Sequence, residues 1–189
     1  MFQVRQSLVR PRLQAGVSNI QIMIGVLIGA VMISGGITVL RQLEKAKVDN
    51  EVRELARLKK KGSALAAQRG GSFHGVTQQA VILHDFFPTE VLGGAATART
   101  IRNQWGGAIT IVASTTPDAL NYQYTGVSSA ACKQLGLAAA SVSAAIQVEG
   151  TWVKTAPAPG TSSNVDQTAL AKLCAQKADN VVMNFYLTK

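Results

Sequence analysis

No charged residue lies between Arg12 and Arg41, and within that gap residues 22–40 are apolar apart from Ser34 and Thr38. A run of this length reaches the ~18 to 20 residues that cross a hydrocarbon core of ~30 Å. The gap lowers the charged content of the whole chain to 15%, against a typical ~25%. Charges then crowd into the positions after Leu40, so a segment built for lipid adjoins one built for water. The 189 residues leave room for one membrane helix and one modest domain, not for two full domains.

What precedes the run is equally informative. Residues 1–16 carry Arg5, Arg10 and Arg12 and no acid. A secretory signal has an apolar stretch of only ~7 to 15 residues, with its small-residue cleavage site after it. Here the small pair Ala15–Gly16 stands before the run, which points to a leader removed ahead of a retained helix. The arginines favour a cytoplasmic N terminus, and long domains translocate largely regardless of charge. The expected orientation is N-in, C-out.

Past Leu40 the helix continues. Val48, Val52, Leu55, Leu58 and Leu65 recur at helical spacing among Lys, Arg and Glu. Glu44, Glu51 and Glu54 are expected to partner nearby cations. After Leu40 no Pro or paired glycine intervenes before Gly70–Gly71, so one helix is expected from Val17 to about Gln68, roughly 75 to 80 Å long at ~1.5 Å per residue. Within its apolar half, Gly25 and Gly29 form a GxxxG pattern that lets another helix approach closely. Adjacent Gly35 and Gly36 are expected to be a local weak point. The net charge of +9 invites a nucleic-acid reading. Much of it lies beside the apolar run, however, as membrane flank and solvated helix face, so nucleic acid is not an expected partner.

From about Gly70 the composition turns to Gly, Ala, Thr and Ser. A short helix is expected over Thr77–Phe87, ended before Pro88, then strands over Ala108–Ser114 and Leu120–Thr125 joined by a turn at residues 116–118. A helix over Ser129–Ser143 carries Cys132. Ala145–Lys154 is expected as a single strand, Thr155–Asn164 as a loop, Asp166 as the cap of a helix to about Ala178 that carries Cys174, and Asn180–Leu187 as a closing strand. The fold class is therefore α+β, a small, mainly antiparallel sheet packed on the long helix. Two cysteines in a translocated domain suggest a disulfide between Cys132 and Cys174.

Nothing forms a catalytic set. His74 and His84 lack a Ser, Cys or acid pattern around them. Gly93–Gly94 and Gly106–Gly107 lack the frame of a phosphate loop. No cofactor or metal is expected, and Phe73, Phe86, Phe87, Trp105 and Trp152 are expected in core or interface positions.

The basic leader ending in Gly16, the start at Val17, the uncharged helix with its basic extension and the two late cysteines resemble the type IV pilins, in particular the type IVb branch of conjugative thin pili and typhoid-type pilins. That resemblance implies three segments: a cleaved leader over 1–16, a long helix over 17–69 whose residues 17–40 form the membrane and filament core, and a disulfide-containing head over 70–189. It implies a structural subunit, not an enzyme. A prepilin peptidase would cut between Gly16 and Val17 and methylate the new amine. Assembly machinery in the inner membrane would then polymerise the chain with copies of itself into an extracellular pilus for adhesion, aggregation or mating contact with a host or recipient-cell surface. Gln21 stands where the family usually has Glu, at the fifth mature position, and cannot neutralise a neighbour's amine. Ser18-Asn19-Ile20-Gln21 also fits a capping box. Two alternatives stay open: a minor pilin or pseudopilin, and a non-polymerising anchored module that binds DNA or another ligand.

Overall fold

The computed structural model describes the backbone of residues 19–95, 99–115, 118–156 and 163–189, and within these ranges the side chains from residue 41 onward except 115. The chain divides into two units, Met1–Arg41 and Gln42–Lys189. Helix α1 runs from Asn19 to Gln68, and its backbone is helical through Gly35 and Gly36. It ends where Gly70 and Gly71 adopt φ of 75° and 86°, and the Gly71 N–H reaches back to the Ala66 carbonyl at 2.7 Å. Such left-handed closure is open to glycine because it has no Cβ.

The second unit is a seven-stranded sheet with helices packed on it. Its elements are α2 (Gln78–Leu83), β1 (Leu92–Gly93), β2 (Thr100–Arg102), β3 (Ala108–Thr115), β4 (Asp118–Val127), α3 (Ser129–Ala138), β5 (Ala145–Val148), β6 (Thr151–Lys154), α4 (Gln167–Ala175) and β7 (Val181–Leu187). The strand order is β1-β2-β3-β4-β7-β5-β6, with every pairing antiparallel. A long helix and an antiparallel sheet match the expected α+β class. Caps fix the helix starts: Thr77, Ser128 and Asp166 each accept backbone N–H groups of the first turn.

Two expectations need correction. Ala145–Lys154 is a hairpin rather than one strand, because Glu149 and Gly150 turn the chain with φ of 51° and 77°. Two consecutive positive φ values suit the twist of a tight hairpin. Glu149 holds this backbone through its carboxylate, which accepts from the Lys177 ammonium at 2.6 Å and the Val182 N–H at 2.8 Å. Helix α2 stops at Leu83, short of Phe87, since Asp85 takes φ 53°. Strands β1 and β2 were not foreseen, being two and three residues long.

The core lies between α1 and one sheet face. Val48, Leu55, Leu58 and Leu65 are buried and meet Tyr122, Tyr124, Met183 and Phe185 in one apolar cluster. The Tyr124 and Phe185 rings pack edge to face at 5.3 Å. Fully burying four such aliphatic side chains is worth ~1.5 to 3 kcal/mol each before ordering costs. The α1 seam therefore anchors the head. On the same face α3 and α4 are joined by a Cys132–Cys174 disulfide.

Candidate functional site

The seam of α1 advances by alternate steps of four and three residues: Glu44, Val48, Glu51, Leu55, Leu58, Gly62, Leu65. Two of its positions are carboxylates, and both turn into the head. The receiving surface is the β2–β3 turn. There buried Asn103 accepts the Trp105 and Gly107 N–H groups through Oδ1, each at 3.0 Å, and donates Nδ2 to the Thr125 carbonyl at 2.7 Å. Gly107 is obligatory, because a Cβ there would lie 1.7 Å from the Thr125 carbonyl oxygen. Held in this way, the turn offers two donors to α1. The Gln104 N–H reaches Glu51 Oε1 at 2.8 Å and the Trp105 indole N–H reaches Glu44 Oε1 at 3.0 Å.

Each glutamate has a second partner. Tyr124 donates its hydroxyl to Glu51 Oε2 at 3.1 Å, and Ser128 donates to Glu44 Oε1 at 2.6 Å while capping α3. Glu51 is only 3% exposed. Burial raises its pKa above the ordinary 4.5; the bonds from Gln104 and Tyr124 oppose the rise, and the charge of Glu54 adds to it. Burial also pushes the Tyr124 phenol well up, with the Glu51 charge second, so Tyr124 stays a neutral donor. The expected pairing of these glutamates with helix cations holds only for Glu54, which meets Arg57 at 2.6 Å. Glu44 and Glu51 serve the head instead, because the seam turns both toward it, burying Glu51 and half-burying Glu44. Two of the basic residues also serve the fold: Arg57 and Lys61 donate to the carbonyls of Phe86 and Asp85, closing the turn after α2. Sequence reasoning missed this clamp. Its signal was two glutamates seven residues apart on an otherwise apolar helical stripe.

Of the expected site residues, Gly16 and Val17 lie outside the described residues, as does Ser18 of the capping box. Gln21, Gly25, Gly29, Gly35 and Gly36 all lie within α1; the side-chain surroundings of residues 19–40 are not described. Among the described residues no helix is long and apolar enough to cross a membrane; the run at 22–40 falls in the part without described side chains. The structure brings Ser72, His74 and Asp118 around a cleft of about 530 Å³, yet they form no triad. Exposed His74 meets Ser72 through its backbone N–H, and Ser72 Oγ meets Asp118 at 3.4 Å. Among the described residues no group of His, Cys, Asp and Glu is placed to hold a metal ion.

With this geometry in view, comparison with known families is decisive. The family model described as PilS N terminal matches residues 45–185. The chain belongs to this family. PilS is the typhoid-type IVb pilin, so the family is one of structural pilus subunits rather than enzymes. The matched span covers most of the second unit and both clamp partners of α1 at the β2–β3 turn. Most of it falls in the head, where the resemblance rested on layout and cysteine placement; it takes in the basic extension of the helix from residue 45 and leaves out the leader and the apolar run. A comparison with curated proteins returns no match.

Proposed function

We propose that this member of the PilS family is made as a precursor with a leader over residues 1–16, is held in the inner membrane N-in and C-out by Val17–Leu40, and is polymerised into a type IVb pilus. A prepilin peptidase cuts between Gly16 and Val17, and the Val17 amine is methylated. The family match carries this reading, because it assigns the head to pilins. The continuous α1 supports it by joining that head to the uncharged run. Once out of lipid, that run needs other apolar surfaces, and like helices from neighbouring subunits supply them, with Gly25, Gly29, Gly35 and Gly36 permitting close approach. The filament would then serve adhesion, aggregation or mating contact.

Mass spectrometry of the protein from its native host tests the processing. The expected N terminus is N-methyl-Val17, and Gly16→Leu should leave the precursor uncut and abolish filaments. A mature protein starting beyond Leu40 would mean ordinary signal peptidase cleavage and would end the proposal. Gly25→Ile or Gly29→Ile should block assembly yet permit insertion, since Ile suits lipid. Gln21 in place of the usual Glu favours a second reading, a minor or specialised pilin. The share of the subunit in sheared filaments separates the two, since a major pilin dominates them.

A further inference from the structure

We propose that the sheet face opposite α1 is a platform for a neutral saccharide. Strand alternation puts a registered row on that face: Trp152, Gln147, Asn184, Gln123 and Thr110, one each from β6, β5, β7, β4 and β3. Tyr186 and Asn121, paired across β7 and β4, stand in the next row. Five strands at ~4.8 Å spacing make the row about 19 Å long, enough for an oligosaccharide lying across them.

The groups are fixed in place. Trp152 is 41% exposed, yet its ring packs 5.0 Å from that of Tyr186. Tyr186 is buried and donates its hydroxyl to Gln147 Oε1 at 3.0 Å. Asn121 Nδ2 donates to Asn184 Oδ1 at 3.3 Å, while Asn121 Oδ1 is a buried acceptor without a partner among the described residues. One indole is thereby left open to solvent and buttressed from the next row, beside the half-buried amides of Gln147 and Gln123, with Asn184 between them only 6% exposed.

Charge and polarity select the ligand. The chain carries 19 Lys and Arg and 10 Asp and Glu, but this row and the pair beside it hold none. An anionic polymer would find no cation in these two rows, the exposed Arg102 standing outside them on β2. An apolar partner would strip water from the half-buried carboxamides and leave them unpaired, which is unfavourable. A sugar meets both demands. Its C–H face packs on the indole, and its hydroxyls donate and accept as the Asn and Gln amides do, with no charge to desolvate.

The test uses the full chain in a zwitterionic detergent without a sugar headgroup, screened against immobilised neutral hexose and N-acetylhexosamine oligosaccharides, with calorimetric titration of the binders. At least one neutral oligosaccharide should bind, and Trp152→Ala should weaken it by about ten-fold or more. Trp152→Phe should recover part of the loss. Gln123→Lys, at a half-buried position of the row, should weaken binding while near-ultraviolet circular dichroism stays unchanged. Full affinity in Trp152→Ala overturns the proposal. So does binding confined to sialylated or sulfated glycans, or no binding across the neutral panel at millimolar concentration. None of these results bears on filament assembly, so the pilin reading stands or falls separately.

Discussion

Along α1 the head is held by side chains alone, a continuous apolar seam with Glu44 and Glu51 set into it. Between α3 and α4 the contact is small and covalently closed: Cys132 is bonded to Cys174, and Gly136 lies so near Leu170 that a Cβ there would sit 2.9 Å from its Cδ1. The difference follows from what each helix can bury. The α1 stripe offers many large side chains over several turns. Helices α3 and α4 have 10 and 9 residues, below the ~12 to 15 at which even favourable isolated helices become stable, and need a tether. The two regions meet at Ser128, which caps α3 and donates to Glu44. A long helix can therefore hold a sheet reversibly, with polar groups setting its register, where a short pair is cross-linked.

The comparison breaks most visibly at the bridge. Cys174→Ser releases a closure of 42 residues, which the chain-entropy relation values at about 4 kcal/mol, a large share of the ~5 to 15 kcal/mol typical of a domain. Denaturant unfolding of the full chain in detergent should show that loss, with a matching fall in secreted subunit. A loss below about 1 kcal/mol would mean that the α3–α4 contact holds without its tether.

The clamp should come next. Glu51→Ala strands the Tyr124 hydroxyl in the core, at ~1 to 3 kcal/mol for a buried unpaired group, and releases the part-buried Gln104 N–H at the exposed turn. Glu51→Gln should be far milder, since a carboxamide serves both partners once the Tyr124 hydroxyl rotates to accept. Acidity sharpens the point. Because burial raises the Glu51 pKa, the folded state holds that proton more tightly than the unfolded chain does. Relative to Glu51→Gln, the parent should therefore lose stability as pH rises from the ordinary 4.5 through the raised value, then stay level above it. A parent that instead loses stability relative to Glu51→Gln as pH falls would show that the carboxylate is favoured here, not strained.

The smallest effect tests how full the seam is. A Cβ on Gly62 would sit 3.6 Å from both Leu120 Cδ1 and Phe73 Cε1, which is ordinary contact. Gly62→Ala should raise the unfolding free energy by the ~0.5 to 1 kcal/mol that a helix-interior glycine forfeits. A loss instead would mean that α1 lies closer to the sheet than those contacts indicate.

Most of the regular elements were legible in the residues, for local reasons. Helical spacing from Val48 to Leu65 announced the second half of α1, the cap at Asp166 announced α4, and β-rich runs announced β3, β4 and β7. The β5–β6 hairpin was not legible, because apolar alternation runs straight through Glu149–Gly150 and the carboxylate that holds the turn finds its partners at Lys177 and Val182, far along the chain. Strands β1 and β2 are too short to show a period.

The sequence by itself determined what each segment can tolerate: which stretch must leave water, which face of α1 must be covered, and where chain direction can reverse at glycine. Those follow from periodicity and composition, which act over a few residues. Only the tertiary structure decided where the buried polar groups go. Glu44 and Glu51 look like partners for neighbouring lysines and arginines until the seam is closed. They then find donors 53 to 84 positions away in the chain, because a carboxylate turned wholly or partly out of water takes the donors the fold brings to it. The row on the outer sheet face has the same origin, since pairing among five strands, not proximity in the chain, sets Trp152 in line with Gln147, Asn184 and Gln123.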